Sequence, residues 1–400
     1  MSDTHNNVFA RLAGTPRLRN VLYDAAYAAR TDSGTGAMTH AWLFTGPPGS
    51  GRSVAARVFA AALVCENPHV IGCGECVDCR TAMAGTHADI VHIVPTELSI
   101  SVNTMRDVIK DAATLPTTAP WRVVIIEDAD RLSGSAANAL LKTVEEPPAQ
   151  TVIILCAPST DPQDIAITLR SRCRHVYVPT PPVSEVARIL MSEGIPQAHA
   201  ELAAAASAGH IGRARRLAQS TEAQQRRASV LNLAKLIYFG DKAFQEVSAL
   251  VKTIQDEANS ELKSVDEQEL EKLKTTLGIG AKGRGAAKAL RGSATVVKEL
   301  EEKQKKRRTR FLRDALDLAL IDLAGLYRDA LIISSNSEIS LVHPDFTEVS
   351  QNLATKNQPQ ALVACLDAIN HCRDAISKNV SPVTAMDELV GRIRLACKVT

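Results

Sequence analysis

The chain has 400 residues, of which 45% are hydrophobic, and its 46 Lys/Arg and 44 Asp/Glu leave a formal charge of +2. At about 100–200 residues per domain this is enough for two to four cored domains, and the composition excludes a mostly disordered chain. No apolar run reaches the ~18 residues a membrane span needs, and the first thirty residues show no secretory core. The expectation is therefore a cytoplasmic protein that meets no membrane. The 4% aromatic content argues against stacking of single-stranded bases.

Residues 1–180 read as α/β. Ala41-Trp42-Leu43-Phe44-Thr45 is a short buried strand running into a glycine-rich turn, and residues 53–64 follow at helical period. Residues 90–94 read as a strand ending at Pro95. Residues 123–126 and 152–155 are continuous β-branched runs suited to central strands covered on both faces. Residues 103–113 and 133–145 supply intervening helices, and residues 176–178 a last strand. Strands alternating with helices imply a parallel, doubly covered sheet. Past the stiff Pro179, Pro181 and Pro182, residues 181–221 hold three short alanine-rich helices and read as a small helical subdomain. Residues 222–400 are helical almost throughout, with an interruption expected over about 256–310. That stretch has an acidic-leading segment, a Gly-rich basic segment (278–292) and the run Lys303-Gln304-Lys305-Lys306-Arg307-Arg308. Residues 281–310 carry eleven Lys/Arg against three Glu, a local +8. A solvated surface insertion is the ordinary reading of such a block, and a basic arm on DNA phosphates the alternative. Residues 311–333 resume an apolar-periodic helix.

Gly46-Pro47-Pro48-Gly49-Ser50-Gly51-Arg52-Ser53 lies between a strand and a helix and matches G-x-x-x-x-G-K-[ST] with Arg for Lys. Glycines let backbone N–H groups cradle phosphate, the helix N-terminus adds its dipole, and the Ser53 hydroxyl would ligate Mg²⁺. Arg52 is bulkier and forked where Lys is a compact point charge, so nucleotide binding is expected to be weak or absent. The strand 123–126 ends in Glu127-Asp128, whereas an active ATPase of this type has Asp-Glu. Each carboxylate is thus displaced by one methylene, and a misplacement of ~1 Å can cost about 10²-fold in rate. ATP hydrolysis by this chain is expected to be poor or absent.

Cys65, Cys73, Cys76 and Cys79 follow directly after the phosphate-loop helix. Four thiolates suit tetrahedral Zn²⁺ in a closed, structural site. An iron–sulfur cluster and free buried cysteines are the alternatives.

Asn138-Ala139-Leu140-Leu141-Lys142-Thr143-Val144-Glu145-Glu146-Pro147-Pro148 and Ser171-Arg172-Cys173, with the phosphate loop and the cysteines behind it, resemble the clamp-loader family of AAA+ proteins, in its bacterial branch. The motifs cover roughly residues 40–215; the rest matches only in being helical. The resemblance implies an AAA+ P-loop core with a zinc module (1–180), a helical lid (181–221) and a C-terminal helical collar (222–400). It implies a hetero-pentamer with tau/gamma and delta subunits that loads a sliding clamp on primer–template DNA for the polymerase III holoenzyme. By that resemblance Arg172 is the arginine finger, reaching in trans into a neighbour's ATP site. Ser159 and Arg213 fall near the family's first and second sensor positions. Polymerase chemistry by this chain itself is not expected, since no carboxylate constellation for two-metal catalysis stands out.

Overall fold

A computed structural model describes residues 7–12, 15–31, 36–95, 97–277 and 286–399, with residues 286–293 described as backbone. The chain divides into two compact units, residues 1–215 and 216–400. No helix of the described residues is long and apolar enough to cross a membrane.

In the first unit, five strands form one parallel sheet: β1 (Ala41–Thr45), β2 (Ile90–Ile93), β3 (Arg122–Ile126), β4 (Thr151–Ala157) and β5 (Arg174–Tyr177), in the order β2-β3-β4-β1-β5. The continuous apolar runs are explained by burial on both faces. Trp42, Phe44, Val123, Ile125, Val152 and Ile154 pack toward α1 (Pro16–Thr31), α2 (Arg52–Val64) and α3 (Val77–Ala84). The alternate residues Leu43, Val124, Ile126, Ile153 and Leu155 pack toward α4 (Val102–Ala112) and α5 (Gly134–Glu145). The period of two in side-chain direction thus divides one apolar run between two cores.

The sheet edge is anchored by Asp89, fully buried just before β2. Its carboxylate accepts N–H bonds from Thr117, Thr118 and Ala119 at 2.7, 2.8 and 2.9 Å and the hydroxyls of both threonines at 2.9 Å, with Arg122 at 3.6 Å. Burial opposes its charge, but these donors overcome that and hold the carboxyl far below its ordinary value. Helix α6 (Ile167–Arg170) precedes β5, and beyond β5 come α7 (Val183–Ser192), α8 (Gln197–Ala206) and α9 (Ile211–Gln219). The boundary between the units falls inside α9, later than the start of the helical subdomain drawn from sequence at residue 181.

The second unit is all helical: α10 (Thr221–Leu236), α11 (Lys242–Thr276), α12 (Ala286–Ser334), α13 (Thr347–Lys356), α14 (Pro359–Ser377) and α15 (Pro382–Ala396). Its core joins Val247, Leu250 and Ile254 of α11 with Leu316, Leu320 and Leu323 of α12 and with Leu362, Ile369, Leu389 and Ile393 of α14 and α15. A buried polar group pins the segment before α13. Arg227 donates two bonds to Asp345 (2.6 and 2.7 Å) and one to His343 Nδ1 (2.8 Å), so that ring donates from Nε2 to the Asp322 carbonyl (2.9 Å).

Among the described residues of 256–310, the chain is helical rather than interrupted at 256–276 and 286–310. Helix α11 runs through to Thr276 and α12 starts at Ala286; residues 278–285 of the basic stretch lie outside the described residues. The two helices pair antiparallel. Arg307 binds Glu269 (2.8 and 2.9 Å) and Asp266, Arg308 binds Asp266 at 2.5 Å, and Gln304 donates to the Asp266 carbonyl at 3.0 Å. The acidic and basic segments, separate in sequence, are partners across this hairpin.

Candidate functional site

The sheet register assembles the phosphate-loop site. Ile126 of β3 lies beside Leu155 of β4, which lies beside Leu43 of β1. Glu127 and Asp128 therefore emerge level with the end of β1, where the loop 46–53 begins, and the Gly46 N–H donates to Pro158 O at 3.1 Å. This is the carboxyl-end crevice where parallel sheets bind ligands. Gly49 and Gly51 have φ of +87° and +92°, which an L side chain rarely adopts. A Cβ on Gly49 would also stand 2.3 Å from the His210 ring. Gly51 caps α2, so the free N–H groups of Arg52 and Ser53 open the helix toward the cleft.

Arg52 does not extend into that opening. Its Nη1 donates to the Gly46 carbonyl at 2.5 Å, folding the guanidinium back onto the loop's own backbone. The carboxylate side is equally engaged. Glu127 Oε1 lies 2.7 Å from His92 Nε2 on β2. Burial raises the Glu127 carboxyl, but the His92 and Ser53 hydrogen bonds and the charges of His92 and Arg57 outweigh it and hold it below the ordinary range. Asp128 adopts a left-handed backbone (φ +46°) and pairs with Arg131 at 3.7 Å. Burial, and then the charge of Asp128, push the Asp130 carboxyl up. Glu127, assigned from sequence to the carboxylate position, is thus taken up by His92.

A cleft of about 780 Å³ opens beside Gly49, Gly51, Arg52 and Ser53. It is also lined by Arg11, Arg57, Arg188, Arg215 and His210, none of which the motif reading singled out. Arg57 lies one turn beyond Ser53 on the same helix face, a spacing that was legible. Arg188, His210 and Arg215 come from α7 and the start of α9, and only folding brings them in. Arg215 is held by Glu193 (2.7 Å from Nε) and Arg188 by Glu185 (2.6 and 2.9 Å). Burial, then the charges of Arg213 and Arg52, lower the His210 pKa, keeping the ring against Gly49 neutral.

The remaining candidates lie elsewhere. Arg213 stands in the first turn of α9, and it is Arg215 that lines the cleft. The Ser159 hydroxyl donates to Asp164 at 2.6 Å and accepts the Asp161 N–H at 2.9 Å, organising its own loop. Arg172 is exposed between α6 and β5, pairing with Glu145 and donating to Thr168 O at 2.9 Å.

Cys65, Cys73, Cys76 and Cys79 do converge: their sulfurs lie within 4.8 Å of one another. Cys65 ends α2 and Cys76 caps α3, whose N–H at Cys79 bonds to the Cys76 sulfur at 3.3 Å. The N–H groups of Cys73 and Cys76 likewise reach Cys65 and Cys73 sulfurs at 3.4 and 3.3 Å. Four sulfurs at 2.3 Å from one Zn²⁺ stand ~3.8 Å apart, and the Cys65–Cys76 separation is 4.0 Å. The donor set and its N–H···S bonds fit a tetrahedral metal. Arg30 ties the module to α1 through the carbonyls of Cys65 and Asn67, at 2.8 and 2.6 Å.

A parallel sheet in this strand order, with a phosphate loop after β1 and carboxylates after β3, defines the P-loop core of an AAA+ protein. Residues 26–182 match the family described as "DNA polymerase III, delta subunit". The delta' subunit of DNA polymerase III from Escherichia coli K12 is 35% identical over 206 residues, which are 50% of this chain and 61% of that one. The tau subunit from Bacillus subtilis 168 is 38% identical over 137 residues, 34% and 24% of the two chains. The delta' subunit of the same organism aligns over 94% of both chains at 23% identity. Over these residues the chain is similar to delta' and tau subunits of DNA polymerase III. At 35–38% identity, however, the matches with the first two of these relatives span 61% and 24% of the relatives' own length.

Proposed function

We propose that the chain is a delta prime-like clamp-loader subunit that hydrolyses ATP weakly or not at all and donates Arg172 in trans. The observation that carries this reading is the self-occupied site: Arg52 bonds to Gly46 O while Glu127 is bonded to His92. A catalytic site must offer these groups to phosphate, Mg²⁺ and water, and preorganisation for ATP is what this pairing removes. Arg172 is exposed and outside the lining of its own cleft, as a residue serving a neighbour requires. On this reading residues 181–221 are the lid, 222–400 the collar, and the partners are tau/gamma and delta, with the sliding clamp and primed DNA met through the complex. The four cysteines hold one structural Zn²⁺ with no open position, so it takes no part in a reaction. Ser159 and Arg213 are sensor remnants. The protein works in the cytoplasm, at the replisome on the nucleoid.

The test is ATP turnover by the purified chain and by the reconstituted loader. The isolated chain is expected to show none above background. Arg172→Ala is expected to lower turnover at the adjoining site by roughly 10³-fold or more while the complex still assembles. Turnover by the isolated chain at a motor subunit's rate would instead establish the second reading, a tau/gamma-like ATPase, which the open 780 Å³ arginine-lined cleft favours.

A further inference from the structure

The helical unit contains a pair of thiols in contact. Cys365 lies in α14, fully buried, and Cys397 follows the last turn of α15, half-buried; their sulfurs are 3.7 Å apart. Tyr238, just past α10, completes the group. Asn357 Nδ2 donates to Tyr238 Oη at 2.8 Å, and Tyr238 and Cys397 pack against the same core. The Lys356 ammonium lies 4.8 Å over the Tyr238 ring. The two sulfurs therefore differ in kind. The bond with Cys365 first, and then the neighbouring Tyr238 hydroxyl, outweigh burial and bring the Cys397 thiol down to about 7. The Cys365 thiol is pushed up, first by its bond with Cys397 and then by burial. Cys397 is the accessible nucleophile and Cys365 the partner behind it.

We propose that Cys397 and Cys365 form a peroxide-reactive dithiol, which closes to a disulfide joining the end of α15 to α14. The Cys397 thiolate attacks a peroxide oxygen: the S–O bond forms, the O–O bond breaks, and the departing hydroxide takes a proton to become water. Cys365 then attacks the sulfenic sulfur: the S–S bond forms, the S–O bond breaks, and the hydroxide leaves as water with the Cys365 thiol proton. Two thiols lose two electrons and one hydrogen peroxide becomes two waters. The sulfurs must close from 3.7 Å to ~2.0 Å.

The experiment treats the reduced full-length chain with hydrogen peroxide, alkylates it with N-ethylmaleimide after denaturation, and maps the peptides. A reducible Cys365–Cys397 link, with a loss of about 2 Da and of two alkylations at those residues, is the expected result. In Cys397→Ser, which changes a half-buried position at a helix end, Cys365 is expected to stay fully alkylatable. Tyr238→Phe is expected to slow the reaction roughly three- to tenfold, with helix content unchanged by circular dichroism. The proposal is overturned if both cysteines remain alkylatable in the native chain, if Cys397 proceeds to sulfinic acid without a link, or if the link forms as fast in the urea-unfolded chain.

Discussion

Two regions of this chain collect arginine and lysine, and they use them differently. Around the phosphate loop, Arg11, Arg52, Arg57, Arg188 and Arg215 surround an open cleft. In the α11/α12 hairpin, Arg307 and Arg308 lie against a partner helix, on Asp266 and Glu269. The described ends of the hairpin balance: residues 256–274 hold seven acids and three lysines, and residues 294–310 seven cations and three glutamates. A cationic run in sequence is therefore a poor guide to an anion site. What distinguishes the site is that its cations border a concave volume, while those of the hairpin are packed into an interhelical contact.

That contrast can be broken at several points. The largest effect is expected from the four-cysteine group of the first unit, proposed above to hold zinc. Cys76→Ser, or a strong chelator, should release one zinc per chain and unfold α3, seen as lost amide protection over 73–84, with the helical unit unchanged. Metal analysis finding no zinc in the untreated chain would remove the assignment. Next is Asp89→Ala, which strands three N–H groups and Arg122 in the first unit and should cost about 3–5 kcal/mol in denaturant unfolding. A loss below 1 kcal/mol would mean that the buried carboxylate does not hold the sheet edge. Asp266→Ala should cost about 1–3 kcal/mol and loosen the hairpin, with faster amide exchange over 259–276. Unchanged exchange would mean that Arg307 and Arg308 are not held by this pair and remain available to a partner. The smallest effect concerns pH. The folded-state pKa of Glu127 is lowered, so its contribution to stability is present above the ordinary carboxylate range and is lost as pH falls through the folded value. Glu127→Gln should flatten the acid limb of a stability–pH curve; an identical limb would show that the His92–Glu127 pair contributes nothing.

Much of the first unit was legible because its signals are local. A strand running into a glycine-rich turn and a helix, a β-branched run ending in two carboxylates, and four cysteines within fifteen residues each carry their chemistry in a short segment. What escaped was non-local. His92 on Glu127 depends on β2 lying beside β3, and Arg188, His210 and Arg215 reach the cleft only once α7 and α9 are folded. Helix α1 was missed, since its buried Leu18, Leu22, Ala25 and Ala26 lie among polar residues of weak apolar contrast. The helical character of 256–276 and 294–310 escaped for the same reason in reverse. Charge density read as solvation, while the partner carboxylates of Arg307 lie 38 and 41 positions away.

The sequence by itself determined the class of core, the altered phosphate loop and the cysteine set, because each rests on residue types at fixed short spacings. Only the tertiary structure decided that Arg52 turns onto Gly46, that His92 takes Glu127, and that Arg307 and Arg308 of the basic run face the acidic helix. Those outcomes depend on which charges meet first across the sheet register and the helical hairpin, and a buried or half-buried charge takes the nearest partner the fold offers.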